Sequence, residues 1–166
     1  MGARQVLRYP HATLKTVAAA LQPGPDAESL ARDLVDTMRA SPACVGIAAP
    51  QIGEAARAFC LDVSGHKRAK TNHGLVVMIN PAISQRDGRD VLREGCMSVP
   101  DLTANVGRAL RIVVEGASPS GEPLRIEAEG FEARAFQHEI DHLDGLLFLD
   151  RVSSLTADVF PRKRYT

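Results

Sequence analysis

Two histidines and a glutamate within five consecutive residues, His138-Glu139-Ile140-Asp141-His142, constrain this chain more than any other stretch. On a helix, positions i and i+4 stand one above the other, about one turn apart. Both imidazoles then share a face and can bind one metal ion, with Glu139 placed to handle the proton of a metal-bound water. Phe136, Ile140 and Leu143 form an apolar stripe roughly opposite. A helix with a metal pair on one side and an apolar stripe on the other has to be buried on both. It should run from about Phe131 to Asp144, with Gly145 ending it. Ala135, small and on the histidine side, leaves room for a ligand. The pentad also arises by chance on solvated helices, so a third ligand has to decide.

No glutamate follows Glu139, which removes the downstream glutamate ligand of thermolysin-like proteases. Phe148 stands where the metzincin pattern places its third histidine. The missing ligand must come from upstream, or from one of the few downstream aspartates. Upstream, Glu94-Gly95-Cys96-Met97-Ser98 offers a thiol. A thiolate and two imidazoles leave a fourth position open, which is the arrangement of catalytic rather than structural sites. Read alone, Cys96 is equally a small buried hydrophobe.

Three segments together resemble the peptide deformylase family: Gly46-Ile47-Ala48-Ala49-Pro50-Gln51, then Glu94 to Ser98, then Gln137-His138-Glu139-Ile140-Asp141-His142-Leu143-Asp144-Gly145. Their order is the family's, and the resemblance runs from Leu7-Arg8-Tyr9-Pro10 to Leu147-Phe148-Leu149-Asp150. It implies a hydrolase that removes the formyl group from N-formylmethionine of new polypeptides, releasing formate. It implies one metal ion per chain, held by Cys96, His138 and His142. Fe(II) would be the physiological metal, with zinc, nickel or cobalt able to substitute, although the ligand set alone suggests zinc. Glu139 would be general base and acid. The Gln51 amide and the Met97 backbone N–H would donate to the oxyanion. Gly46 would let the substrate backbone come close, and Val45 and Ala135 would line the methionine pocket. Glu94 and Arg108 match a structural ion pair holding the thiolate loop.

The chain also departs from that pattern. Cys44 and Val45 replace the usual start of the first motif, and the loop from Met38 to Val45 is one residue longer. Met97 stands for a leucine, and Thr103 stands where some relatives carry an arginine near the peptide cleft. Cys44 is expected to be an apolar filler, or else a neighbour that oxidation could join to Cys96 after metal loss. The tail after Asp150 is short, and its Arg162-Lys163-Arg164 run reads as solvated charge.

Size and organisation agree with one catalytic domain over residues 1–166. Lys plus Arg number 20, as do Asp plus Glu, so nothing suggests a DNA binder that relies on bulk charge. With 3 cysteines and no disulfide spacing, a reducing compartment is the simpler reading. No apolar segment suggests a signal peptide or a membrane span. The expectation is a cytoplasmic enzyme meeting nascent chains at the ribosome, or the mature form of an organelle protein.

Along the chain, Leu30, Leu34, Val35 and Met38 recur at helical spacing over about 28–40, with Asp26 as N-cap and Ser41-Pro42 as stop. Phe59, Leu61 and Val63 alternate as in a strand, and Leu75 to Ile79 reads as a buried strand ending at Asn80-Pro81. Leu110-Ile112-Val114 and Leu124-Ile126-Ala128 flank the Ser118-Pro119-Ser120-Gly121 turn, which suggests a hairpin. This order indicates an α+β fold, with antiparallel sheets packed around a central metal-binding helix. Two alternatives to the deformylase reading stay open: another metal-dependent amidase on the same scaffold, and a catalytically silent metal- or peptide-binding relative.

Overall fold

The structure, a computed structural model, describes residues 2–163; Arg164 of the basic tail lies outside them. Two helices and eight strands form in the order α1 (Pro25–Ala40), β1 (Gly46–Ala48), β2 (Ala58–Leu61), β3 (Val76–Asp87), β4 (Asp90–Cys96), β5 (Val99–Arg108), β6 (Arg111–Ala117), β7 (Pro123–Glu129), α2 (Gly130–Leu143) and β8 (Val159–Pro161). Strands β1-β2-β3-β6-β7 make one antiparallel sheet and β4-β5-β8 another. The β4–β5 hairpin leaves the first sheet after β3 and returns the chain to β6, which pairs with β3. The fold is α+β.

Sheet one carries apolar side chains on both faces. Phe59, Leu61, Met78, Ile112 and Val114 meet Ala133, Phe136, Ile140 and Leu143 of α2. On the other face Ala58, Cys60 and Ile79 meet Leu34 and Met38 of α1. This is why β2 is buried at every position and not only at Phe59 and Leu61. Phe136 stands edge-on to Phe59, with centroids 5.8 Å apart, and truncating a buried phenylalanine costs about 3–5 kcal/mol. A third cluster joins Val99, Ala104 and Val106 of β5 to Leu14, Leu147 and Phe148. Helix α2 thus lies between the sheets, its apolar stripe on sheet one and its histidines toward β4.

Two boundaries differ most from the sequence reading. Helix α1 starts earlier: Gly24 is the N-cap and Pro25 follows at the first helical position, where proline's missing N–H costs nothing. Asp26 lies in the first turn, where its charge suits the helix dipole. Strand β3 does not end at Asn80-Pro81 but runs on to Asp87. Asn80 turns left-handed, with φ 51°, and the ladder with β6 slips between Ile79 and Ala82. The bulge needs no donor from Pro81, and the Asn80 amide exchanges two 2.8 Å hydrogen bonds with the Leu21 backbone instead. Strands β1, β4, β5 and β8 have no counterpart in the periodicity reading.

Gly145 ends α2 as its position suggests. Its φ is 73°, and a Cβ there would stand 2.9 Å from the Lys15 carbonyl oxygen. The N-terminal segment ties two loops together. The Leu7 N–H donates to the Gln51 carbonyl at 2.7 Å, and the Tyr9 N–H to the Ser98 carbonyl at 2.8 Å.

Candidate active site

Glu94 and Cys96 are buried with Gly95 exposed between them, so the alternation of β4 sends both side chains toward α2. Cys96 Sγ stands 3.5 Å from His142 Nε2. The ligand atoms of Cys96, His138 and His142 all lie within 4.8 Å of one another. A sulfur at about 2.3 Å and an imidazole nitrogen at about 2.0–2.1 Å from one tetrahedral ion stand about 3.5 Å apart. The donor set therefore fits a single ion and leaves one coordination position for a non-protein ligand. Phe148, at the metzincin histidine position, packs its ring beside His138 with centroids 6.4 Å apart.

Each donor is held from behind or pulled by charge. His138 Nδ1 is 2.9 Å from Glu94 Oε1, which leaves Nε2 as the nitrogen available to an ion. Burial opposes a charged sulfur at Cys96, but the imidazoles of His142 and His138 outweigh it and hold the thiol well below its ordinary pKa. Burial opposes an imidazolium at His138, yet Cys96, Glu139 and Glu94 hold its pKa well above the ordinary value. A metal cation would take the place of that proton.

Glu139 is buried beside the ligands, and its Oε1 has no hydrogen-bond partner among the described residues. Burial raises its pKa against the pull of the two imidazoles. Gly46 opens β1 directly against it. A Cβ there would lie 2.8 Å from Glu139 Oε2 and 3.1 Å from Cγ and Cδ, so glycine makes room for the carboxylate itself.

Gln51 lies in the 3-10 turn Ala49–Ile52 that follows β1. The Ala48 N–H donates to Gln51 Oε1 at 3.0 Å, which turns Nε2 toward Ser98 Oγ at 3.1 Å and Cys96 Sγ at 3.7 Å. Met97 is half-buried in the turn after Cys96. Val45 packs against the apolar cluster that contains Ala135.

Glu94 and Arg108 form a buried pair through two 2.9 Å hydrogen bonds. The pair is part of a larger network. Arg134 donates to Glu94 Oε2 at 2.6 Å, and Arg108 donates to Asp141 at 2.6 Å. Asp141 also takes two hydrogen bonds from Arg151, and Arg134 reaches Asp90. Burial works against the Glu94 carboxylate, but Arg108 and His138 bring its pKa far below the usual range. Arg134, Asp141, Arg151 and Ser98 escaped the sequence reading. Only Arg134, one turn before His138 on α2, and Asp141, inside the pentad, carried a positional signal.

Cys44 lies close enough to Glu139 and Cys96 to feel their charge. Its thiol donates to the Gly46 carbonyl at 3.2 Å, and the residue packs against the α1-side cluster. Burial raises its pKa to about 11, which works against the thiolate that disulfide exchange needs. Thr103 lies opposite Gly95 in the β4–β5 ladder. A groove of about 630 Å³ is lined by Arg108 and Asp141 and by none of Cys96, His138 and His142.

The comparisons with known proteins agree with this geometry. The family model described as polypeptide deformylase matches residues 3–158. A peptide deformylase of Thermodesulfovibrio yellowstonii is 37% identical, over 98% of this chain and 97% of its own length. The crystal structure of a peptide deformylase from Legionella pneumophila superposes with a TM-score of 0.83 at 36% identity, covering 93% of this chain and 88% of that one. A class I type b peptide deformylase from Acinetobacter baumannii, crystallised with Met-Ala-Ser, gives a TM-score of 0.83 at 32% identity over 90% of this chain and 98% of its own. Sequence, fold and a Cys-His-His donor set thus point the same way, and the chain belongs to the polypeptide deformylase family.

Proposed function

We propose that this protein is a metal-dependent amide hydrolase that removes the formyl group from N-formylmethionine of newly synthesised polypeptides, with the roles below. The observation that carries the reading is the three-donor cluster with a buried, partly unpaired Glu139 beside it. A structural site fills all four positions with protein ligands and needs no such carboxylate.

Cys96, His138 and His142 hold one divalent ion. Bound there, the ion supplies Lewis acidity and activates water for attack on an amide carbonyl near neutral pH. Glu139 is the proton carrier: its carboxylate takes a proton from the attacking water and returns it to the departing amine nitrogen. The raised pKa suits both halves of that task. Gln51 Nε2 and the Met97 N–H donate to the carbonyl oxygen as negative charge develops on it. Ala48 keeps the Gln51 amide in the required orientation. Val45 and Ala135 line the pocket for the methionine side chain, while Gly46 keeps both Glu139 and the substrate backbone within reach. Glu94 fixes the His138 tautomer, and Arg108 and Arg134 fix Glu94.

Family membership favours Fe(II) as the physiological ion, with zinc, nickel or cobalt able to replace it. Residues 1–166 serve as one catalytic domain. Its partners are formylmethionyl nascent chains met at the ribosome in the cytoplasm. No helix among the described residues is long and apolar enough to cross a membrane.

The test is anaerobic loading with Fe(II) and assay on formyl-Met-Ala-Ser. Release of formate and a free amine in equal amounts is the expected result. Equal turnover of acetyl-Met-Ala-Ser, or no formate at all, overturns the reading.

A further inference from the structure

One cation at the rim of the site has no assigned task. Phe160 of β8 faces Thr103 of β5, and the Arg162 N–H donates to the Asp101 carbonyl at 2.9 Å, so the backbone fixes where Arg162 leaves the sheet. Its guanidinium folds over Gly95, the residue directly before Cys96. Arg162 Cζ lies 3.1 Å from the point a Gly95 Cβ would occupy, and Thr103 Cγ2 lies 3.5 Å from the same point. Among the described residues the Arg162 guanidinium makes no ion pair. Its neighbour Arg93 is engaged by Asn105 Oδ1 at 3.2 Å and by the Phe160 ring at 3.8 Å.

Two sheet edges meet at the ligands. β4 is the end strand of one sheet and β1 of the other. Cys96 closes β4, and Gly46 opens β1 against Glu139. An extended peptide with its formyl carbon at the ligands can add to such an edge by backbone hydrogen bonds. Running along β4, it passes Gly95. Gly95 lies one residue, about 3.3 Å, from Cys96 and on the face of β4 turned away from α2, so with the methionine buried at the ligands it is the second residue of the peptide that points to the guanidinium side.

We propose that Arg162 is a specificity-determining residue that favours substrates with a carboxylate at the second position. The carboxylate is either an acidic side chain there or the chain terminus of a formylated dipeptide. The proposal rests on the deformylase reading. A planar guanidinium fits a carboxylate through two parallel N–H···O bonds. An exposed pair of this kind changes affinity about twofold to fivefold and weakens with salt.

The experiment compares four substrates on the metal-loaded full chain: formyl-Met-Glu-amide, formyl-Met-Lys-amide, formyl-Met-Ser-amide and formyl-Met-Ser with a free carboxyl. The parent is measured beside Arg162→Ala, Arg162→Lys and Arg162→Glu. The parent should favour Glu over Lys about fivefold in kcat/KM, carried by KM and shrinking as salt rises. Arg162→Ala should flatten that ratio, Arg162→Glu reverse it and Arg162→Lys keep most of it. A merely structural arginine would lower all four substrates alike. The ratio does not depend on the fraction of folded enzyme, so weakened folding cannot imitate the result. A preference seen only between Glu and Lys amides assigns the contact to a side chain; one seen only between free acid and amide assigns it to the terminus. Equal ratios in the parent, Arg162→Ala and Arg162→Glu overturn the proposal. A parent that turns over none of the four overturns the deformylase reading itself, a failure distinct from lost charge discrimination in an active enzyme.

Discussion

Glu139 is asked to be buried, ionisable and unpaired at once, and each demand has a measurable cost. Its pKa is raised by burial. The protonated form is therefore the one the metal-free fold prefers. That preference is satisfied below the unfolded value of about 4.3 and becomes a penalty as pH rises through the folded pKa. Glu139→Gln should stabilise the metal-free protein at pH 7 and lose that advantage below about pH 4. Urea denaturation in chelator at the two pH values checks this. In the metal-loaded enzyme the same change should cost about 10²–10⁴-fold in kcat, because the proton carrier is gone. Metal-loaded Glu139→Gln with near-parental turnover would reject the role. Gly46→Ala should keep the metal and lower kcat by at least about tenfold, since its Cβ would push on Glu139 Oε2 from 2.8 Å. Metal analysis beside steady-state kinetics separates the two effects. Gly46 and Glu139 were each legible as motif residues, but their contact was not, because it joins residues far apart in sequence.

The element that controls ligand geometry is the end of β4, and it acts on α2 through the charge network. Glu94→Gln should weaken metal binding about 10–100-fold, because the carboxylate that fixes His138 becomes an amide. Competition with a chromogenic chelator gives that number. Arg108→Met should destabilise by about 3–5 kcal/mol, since Glu94 and Asp141 each lose a buried partner. Removing Glu94 and Arg108 together should not restore stability as it would for an isolated pair. Arg134 and Asp141 would still be left without them. Thermal unfolding of the two single variants and the double checks this. The network explains why sheet two was hard to read. The inward positions of β4 hold Glu94 and Cys96, and β5 ends inward at Arg108, so a search for alternating apolar residues passes over them. Strands β2, β6 and β7 show the pattern plainly because their partner is an aliphatic core. The extension of β3 past Asn80-Pro81 depends on a side-chain amide bonding Leu21, a contact with no local signature.

The whole molecule is joined at the ligands, because Cys96 belongs to sheet two and the histidines to the helix packed on sheet one. Metal binding should therefore raise the unfolding temperature of the entire chain, by about 4 kcal/mol of stability at a thousandfold excess over Kd. A cation displaces the His138 proton, so proton release on metal uptake should appear in weakly buffered titration, and calorimetry in two buffers measures it. The helix pentad and the thiol were legible from residue types alone; their meeting needed a hairpin that carries Cys96 to α2 from another sheet. The strap formed by Leu7 and Tyr9 has a further consequence, one of timing. A ribosome makes those residues before their acceptors, the Gln51 and Ser98 carbonyls, and well before α2. The opening segment must wait, unsecured, while most of the chain is synthesised. Catalytic competence then arrives late, when α2 settles between the two sheets and the strap of Leu7 and Tyr9 closes over loops made long after it.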